Sequence, residues 1–272
     1  MLDVNLFDTN FAHSMSVDGL DSASRRLPKE IRYIRNQPSF RGITIFTDDM
    51  IFSQAVDQVK TDKKIAWCQE SPAIKPHVHQ NIHSVEHKFD YIMTCNLDKV
   101  NQNPAKYKYV PIACCWIKDN EIGMQEKTKQ ISHIFTCKTY TEGHVLRHII
   151  AKNIQGCDLF GATTFNKLQP HKDYMFSIIV ENCRHNGYFS EKIIDCLTQG
   201  CIPIYWGDPN IHSHFNMKGI ITFSTIEDLR SLKIGKNYYN DNIGAVKENI
   251  EICKNKFLCC DDSLANAIKE LI

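Results

Sequence analysis

The distribution of hydrophobic residues along the chain predicts an α/β protein built on parallel sheets. Short apolar runs of strand length alternate with stretches of helical length, a pattern typical of strand–helix–strand units. The runs predicted as strands are "GITIFTDD", "KKIAWC", "FDYIMTCN", "YKYVPIACCW", "SHIFTC", "GCDLFG", "YMFSIIV", "CIPIYW" and the start of "GIITFSTIEDLRSL". Crossover connections between such parallel strands are expected to be right-handed.

Helices are predicted between these strands and in the C-terminal tail. The stretches concerned are "LPKEIRYIRNQ", "FSQAVDQV", "GHVLRHIIAKNI", residues 190–199, the end of "GIITFSTIEDLRSL" and two segments of the tail. In "GHVLRHIIAKNI", a spacing of three to four residues would place Val145, Leu146, Ile149 and Ile150 on one apolar face.

A polar, charged stretch predicts a division into two domains. "KDNEIGMQEKTKQ" occupies residues 118–130 and is the best candidate for a linker. We therefore expect two α/β domains, residues 1–125 and 126–272, with a cleft between them. Ligands of parallel sheets bind beyond the carboxyl ends of the strands, where Glu70 and Glu181 are expected.

Composition and charge narrow the class of protein. Hydrophobic residues make up 43% and charged residues 23% of the 272, as in ordinary globular proteins. The net charge of +1 gives no general support for nucleic-acid binding. Apolar runs of 18 residues, a signal-peptide pattern and N-x-S/T sequons are absent from the sequence, so we expect a cytoplasmic protein with no transmembrane segment. The twelve cysteines lack paired CxxC spacing and are expected to be reduced, mostly as buried apolar groups.

The predicted helix at residues 190–199 carries the clearest candidate chemistry. Ser190 is a good N-cap and Gly200 suits the left-handed residue that follows a helix. Lys192 is unfavourable in the first turn, where the helix dipole is already positive, unless an anion is present. Free backbone N–H groups and an ammonium group together form a phosphate site, although an isolated lysine here is also compatible with simple solvation.

A longer segment around this helix resembles a known family. "YMFSIIVENCRHNGYFSEKIIDCLTQGCIPIYWGDPNI" resembles, without gaps, the donor-binding signature of the α1,3/4-fucosyltransferases, glycosyltransferase family 10. The matching residues are Glu181, Asn182, Tyr188, Glu191, Lys192, Pro203 and Gly207. The departures are Val180 before the glutamate, Cys183 for the usual serine and Ser190 for the usual threonine.

The resemblance implies a role for each matching residue in binding a guanosine diphosphate sugar. It places Glu191 at the ribose, Lys192 at the diphosphate, Tyr188 against the nucleotide and Glu181 near the transferred sugar. Asn182 and Ser190 complete the expected donor-binding set from this segment.

Two further motifs support the same family. "CKTYTEGHVLRHIIAKNIQGCDLFG" resembles an upstream family segment whose arginine corresponds to Arg147, and a guanidinium would neutralise the departing diphosphate. "WCQESP" resembles the acceptor-domain motif whose glutamate, here Glu70, is the proposed general base. Taken without this resemblance, both residues are ordinary solvated surface charges.

Other patterns that could bind metal carry little weight. His77, His79, His83 and His87 have spacing compatible with zinc, but surface or acceptor-side positions explain them equally well. The pair Asp48–Asp49 lacks the D-x-D spacing of manganese-dependent transferases and suits a helix cap. The resemblance also implies a fold that needs no metal, so no metal site and no cofactor beyond the donor substrate are expected.

The resulting hypothesis is an inverting fucosyltransferase of the GT-B architecture, with two Rossmann-like α/β domains. It would transfer L-fucose from GDP-fucose to a hydroxyl of a glycan, with a glycan acceptor as its second partner. One alternative keeps this fold with another GDP-sugar or nucleotide-sugar donor. A second alternative is a catalytically inactive nucleotide-binding protein that acts through a partner.

Overall fold

The computed structural model describes residues 1–8, 26–161 and 166–271. The strands are β1 (Leu2–Phe7), β2 (Ile31–Arg35), β3 (Ile43–Thr47), β4 (Lys63–Cys68), β5 (Tyr91–Thr94), β6 (Tyr107–Tyr109), β7 (Lys129–Phe135), β8 (Asp158–Gly161), β9 (Tyr174–Val180), β10 (Ile202–Trp206) and β11 (Ile221–Thr222). The helices are α1 (Ala55–Gln58), α2 (Pro76–Val85), α3 (Leu97–Gln102), α4 (Glu142–Asn153), α5 (Gln169–Lys172), α6 (Glu191–Thr198), α7 (Ile226–Ser231), α8 (Lys236–Asp241), α9 (Ile243–Lys256) and α10 (Cys260–Lys269).

The chain folds into two compact units. The first unit contains residues 1–114, 186–188 and 259–272, and the second contains 115–185 and 189–258. The division at residues 114 and 115 precedes the boundary predicted at 125 and 126, and the C-terminal helix returns to the first unit. The polar stretch 118–130 lies within the second unit and contains the start of β7, so its polarity reflects exposure rather than a domain boundary.

A six-stranded parallel sheet forms the centre of the first unit. Its strands lie in the order β2-β1-β3-β4-β5-β6. β3 is buried along its whole length, as its continuous apolar run predicts for a strand covered on both faces. Phe46, Ala66 and Ile92 belong to the core on this sheet.

A five-stranded parallel sheet forms the centre of the second unit. Its order is β11-β10-β9-β7-β8, so β9 lies in the middle. The core contains Phe176 and Ile178 of β9 together with Ile202 and Ile204 of β10. The predicted strands "KKIAWC" and "YMFSIIV" are confirmed residue for residue, and α9 and α10, the last of the four helices described after β11, are those predicted for the tail.

The helix predicted from "LPKEIRYIRNQ" is wrong. This stretch contains β2, in which Ile31 and Tyr33 are buried while Arg32 between them is exposed, the alternation of a half-buried strand. β2 pairs with β1, which the sequence pattern did not predict. The polar character of residues 1 to about 40 favours irregular structure, but β1 and β2 lie there; residues 9–25 lie outside the described residues.

The apolar face predicted for α4 is also wrong in part. Val145 and Ile149 are 44% and 40% exposed, whereas His144 and Arg147 are buried. α4 therefore turns part of its polar side toward the sheet, because Arg147 finds acceptors there. In the part of the chain that the structure describes, every helix is too short or too polar to cross a membrane.

Candidate functional site

The start of α6 is held by a buried carboxylate at the end of β9. The Oγ of Ser190 caps the helix by accepting from the backbone N–H of Lys192, as predicted. The carboxylate of Glu181 accepts from the backbone N–H of Ser190 at 2.9 Å and from its hydroxyl at 2.7 Å. Glu181 is fully buried, and these two hydrogen bonds link the first turn of α6 to the end of β9.

Lys192 has negative partners within the chain. Its Nζ lies 3.3 Å from a carboxylate oxygen of Glu191, 3.5 Å from one of Glu181 and 3.0 Å from the Oγ of Ser190. Burial opposes the charge of Lys192, but the two carboxylates outweigh it and raise the pKa of the ammonium group. Burial likewise opposes the charge of Glu191, but Lys192 and Lys167 lower the pKa of that carboxyl to about 2. Lys192 and Glu191 are therefore both charged at neutral pH.

Arg147 reaches the same end of the sheet from α4. Its guanidinium donates to the carbonyl oxygen of Val180 at 2.6 and 3.0 Å and to the Oδ1 of Asn182 at 3.1 Å. The side chain is buried and rigidly aimed, which suits a guanidinium that must meet an anion in a fixed geometry. Arg147 and Asn182 thus lie together just past β9, beside Glu181 in the chain, and their predicted roles in donor binding stay predictions.

A glycine permits the close approach of α4 to β9. The backbone N–H of Gly143 donates to the carbonyl oxygen of Asn182 at 3.1 Å. A Cβ on Gly143 would lie 1.7 Å from the carbonyl oxygen of Glu181. Only glycine fits here, so Gly143 allows the N-terminal turn of α4 to contact the strand end that carries Glu181.

Arg147 and Lys192 line a cavity within the second unit. Its volume is about 80 Å³, and its polar wall contains Arg147, Lys167 and Lys192. The remaining lining residues are Ile134, Thr136, His171, Ile178, Ile179 and Val180. The three basic side chains exceed the two adjacent carboxylates, Glu181 and Glu191, by one positive charge, so the cavity can attract an anion.

Lys167 is a member of the site that sequence reasoning missed. Its Nζ lies 4.7 Å from the ring centre of Trp116 and 4.0 Å from a carboxylate oxygen of Glu191. In the sequence it lies in "FNKLQPHK", outside the motifs that resemble the fucosyltransferases, and has the pattern of an ordinary surface lysine. Only the folded chain brings it to the cavity.

Tyr188 is not among the residues that line this cavity. It is 2% exposed and belongs, with Asn186 and Gly187, to the first unit. Its predicted place against a nucleotide stays a prediction.

Glu70 lies in the first unit, two residues after the last residue of β4. The Oδ1 of Asp48 accepts from the backbone N–H groups of Gln69 at 2.9 Å and of Glu70 at 3.3 Å. Asp48 is fully buried, and burial raises the pKa of its carboxyl to about 7. Asp48 was predicted as a helix cap, but its side chain instead accepts hydrogen bonds from the backbone at Gln69 and Glu70 and so fixes the position of the Glu70 backbone.

The histidines that follow Glu70 make hydrogen bonds in the first unit. His77 contacts a carboxylate oxygen of Asp49 at 2.6 Å, and His79 contacts the carbonyl oxygen of Glu70 at 2.8 Å. In the described ranges, His77, His79, His83 and His87 do not come together as a metal-binding group.

Comparison with known proteins gives two sequence relatives that are named as fucosyltransferases. No family model matches the chain. It is 34% identical over 88 residues to the α-(1,3)-fucosyltransferase FucT of Helicobacter pylori, which is 30% of this chain and 18% of that protein. It is 38% identical over 61 residues to a protein of Acanthamoeba polyphaga mimivirus assigned by name to the fucosyltransferases, which is 22% of this chain and 10% of that protein. The matched regions thus span less than a fifth of either relative.

Solved structures of α1,3-fucosyltransferase share the fold across most of the chain. One with GDP has a TM-score of 0.52 and another has 0.51, each at 16% identity and covering 97% of this chain and 88% of theirs. At this identity the likeness shows the fold alone, which is the GT-B architecture with its two parallel-sheet α/β units. The chain is thus similar in sequence, over 88 residues, to an α-(1,3)-fucosyltransferase, and similar in fold, over most of its length, to solved α1,3-fucosyltransferases.

Proposed function

We propose that this chain transfers L-fucose from GDP-fucose to a hydroxyl of a glycan, with inversion at the anomeric carbon. The observation that carries the proposal is the cavity of the second unit, where Arg147, Lys167 and Lys192 converge at the start of α6. The names of both sequence relatives support fucose as the sugar, and the name of the Helicobacter pylori relative supports a 1,3 linkage.

The donor diphosphate would bind at this cavity. Lys192 and Arg147 supply charge-assisted hydrogen bonds to phosphate oxygens, and Lys167 adds a third positive group. Glu191 is proposed for the ribose, and Glu181 and Asn182 position Ser190 and Arg147 through the contacts described above. Because these groups are fixed before the donor arrives, they stabilise the departing negative charge without reorganising.

Glu70 is proposed as the general base. Its carboxylate would take the proton of the acceptor hydroxyl as that oxygen bonds to the anomeric carbon. The bond from this carbon to the β-phosphate oxygen breaks on the opposite face, and GDP leaves with its electron pair. The transition state resembles the oxocarbenium ion of glycoside hydrolysis, with a sugar hydroxyl in place of water.

Three finer features belong to the same proposal. Catalysis would need no metal, because basic side chains neutralise the diphosphate. The acceptor would be a glycan, as in protein glycosylation. The enzyme would act in the cytoplasm.

A thermal-unfolding panel in EDTA tests the donor class. The panel compares GDP, GDP-fucose, GDP-mannose, UDP, ADP and CMP. A ligand at 100 times its dissociation constant adds about 2.7 kcal/mol to the free energy of unfolding, a shift of several degrees. We expect GDP and GDP-fucose to stabilise the chain without metal.

Each other result of the panel has a definite meaning. Stabilisation by UDP alone would keep a nucleotide-sugar site and overturn the donor. Stabilisation by GDP only after a divalent metal is added would overturn metal independence. An unchanged melting temperature with every nucleotide would contradict the proposal.

A further inference from the structure

A buried cluster of soft ligands lies in the second unit. It consists of His171 in α5, Cys196 in α6 and Cys201 just before β10, and is called here the thiol–imidazole cluster. One ring nitrogen of His171 and the two Sγ atoms all lie within 4.8 Å of one another. His171 is 1% exposed and both cysteines are fully buried.

The turn after α6 brings the two cysteines together. Gly200 has a φ of +68°, the left-handed conformation that glycine adopts without strain. The chain reverses there, and the backbone N–H of Cys201 donates to the carbonyl oxygen of Cys196 at 3.3 Å. The cysteines are therefore neighbours because of a specific helix-end geometry.

A lysine ties the segment of His171 to that of the cysteines. The Nζ of Lys127 donates to the carbonyl oxygens of His171, Lys172 and Gln199 at 3.0, 2.9 and 2.6 Å. Three acceptors require three N–H donors, so this nitrogen is an ammonium group. The positions of all three ligands are thus fixed by backbone contacts.

The histidine has an unmet bonding requirement. The Nδ1 of His171 is buried without a hydrogen-bond partner. A buried polar atom without a partner is costly, and in native proteins it usually has a reason. A metal ion coordinated by this nitrogen and by the two cysteine sulfurs would remove this cost.

We propose that the thiol–imidazole cluster binds a single thiophilic d¹⁰ metal ion, Cu⁺ or Zn²⁺. Two thiolates and one imidazole are ligands that both ions prefer, and carboxylates, which suit harder ions, are absent from the cluster. The two thiol protons leave to solvent as the two metal–sulfur bonds form. This site goes beyond the proposed sugar transfer, in which it takes no part as a reactant.

Charge balance favours Cu⁺ over Zn²⁺. Two thiolates carry two negative charges, and the Lys127 ammonium beside them carries one positive charge. Cu⁺ then gives a neutral buried group, whereas Zn²⁺ leaves one net positive charge. An uncompensated charge in a buried site is unfavourable.

Metal titration of the full chain tests the proposal. Protein purified with a reductant is stripped of metal and titrated anaerobically with Cu⁺ against a competing chelator, and separately with Zn²⁺. Co²⁺ serves as a coloured substitute for Zn²⁺. We expect one equivalent of Cu⁺ or Zn²⁺ to bind, and a thiolate-to-metal charge-transfer absorption that saturates at one equivalent.

Cysteine variants provide the matched comparison. The double variant C196S/C201S is expected to lose the bound equivalent and its absorption. Cys253→Ser, which alters another fully buried cysteine of the same unit, is expected to keep both. If the double variant does not fold, the single variants Cys196→Ser, Cys201→Ser and His171→Ala replace it, because absorption by the wild type shows thiolate ligands but not which of the twelve cysteines supply them; a folded single variant that keeps the full wild-type affinity and absorption would then contradict the proposal.

Three results would overturn the proposal. The first is failure of the wild type to bind stoichiometric Cu⁺ or Zn²⁺. The second is full retention of metal by a folded C196S/C201S variant. The third is a chain that, purified without reductant, contains a Cys196–Cys201 disulfide and, once reduced, binds neither ion.

Discussion

At the scale of single residues, each charged group at the start of α6 lies next to a group of opposite charge. Glu181 is buried with its oxygens engaged by Ser190 and near Lys192, while Glu191 faces Lys192 and Lys167. Lysine in a first helical turn opposes the helix dipole, and the two carboxylates compensate for it. An incoming diphosphate would therefore meet basic groups whose positions are already fixed.

Glu70→Gln tests the proposed base. The amide keeps the size of the side chain but cannot take a proton, so transfer should fall by about 10²–10⁴-fold. Affinity for GDP-fucose, measured by calorimetry, should stay unchanged. Asp62→Asn, at an exposed position of the same unit, serves as the control. Undiminished turnover in Glu70→Gln would remove Glu70 as the base.

Asp48→Asn tests whether the buried carboxyl that contacts the Glu70 backbone has a raised pKa. Burial raises the pKa of Asp48 from 3.8 to about 7, so the folded state holds a proton that the unfolded state releases between these values. The wild type must lose stability relative to the variant as pH rises from 4 to 7, by up to about 4 kcal/mol at 1.36 kcal/mol per pKa unit.

The measurement is urea unfolding of both proteins at pH 4 to 8. Asparagine keeps an oxygen for the N–H groups of Gln69 and Glu70, and it tolerates the φ of +40° found at this position. The difference in unfolding free energy should level off above pH 7. A difference that is constant with pH would show that Asp48 is ionised throughout.

At the scale of elements, the approach of α4 to β9 sets the position of Arg147. Gly143→Ala would place a methyl group 1.7 Å from the carbonyl oxygen of Glu181 and force the two elements apart. Overpacking of this kind costs about 1–3 kcal/mol or more. We expect a lower melting temperature and weaker binding of GDP-fucose.

Gly244→Ala is the matched control for this change. Gly244 lies in α9, and a Cβ there would have nothing within 4 Å. Alanine should stabilise this helix by about 0.5–1 kcal/mol. A Gly143→Ala variant that melts and binds GDP-fucose like the wild type would show that the close approach is unimportant.

The elements also show which parts of the fold a sequence can predict. β4, β9 and α6 were predictable because each is a long apolar run or has clear end signals, such as Ser190 and Gly200. β2 was missed because its two arginines, Arg32 and Arg35, hide a period of two in a charged stretch. The buried side of α4 was misjudged because hydrophobicity alone does not reveal that Arg147 finds acceptors in the sheet.

The site itself was predictable only where a motif is continuous in sequence. The motif residues that the structure brings together at one strand end are Arg147, Glu181, Asn182, Ser190, Glu191 and Lys192, and their roles stay predictions. Lys167 and Asp48 act through contacts with residues distant in the chain, and such contacts leave no local signal. The thiol–imidazole cluster was missed for the same reason, since His171 is far in sequence from both cysteines.

At the scale of the whole molecule, two parallel-sheet units divide the proposed work. The second unit holds the basic cavity, and the first holds Glu70. The structure supports the proposed donor site more fully than an acceptor site, because the basic side chains of the cavity all come from one compact unit and their contacts with one another are described. The central claim is therefore that this cavity binds a GDP-sugar.

Calorimetric titration of GDP-fucose into wild type and Lys192→Ala tests this claim most directly. Loss of one charge-assisted contact, at about 1.5–3 kcal/mol, should weaken binding by about 10- to 150-fold. Lys247→Ala, at an exposed position in α9 of the same unit, should bind as the wild type does. A melting curve establishes that each variant is folded. Equal affinity in wild type and a folded Lys192→Ala variant, or undetectable binding by the wild type, would contradict the account.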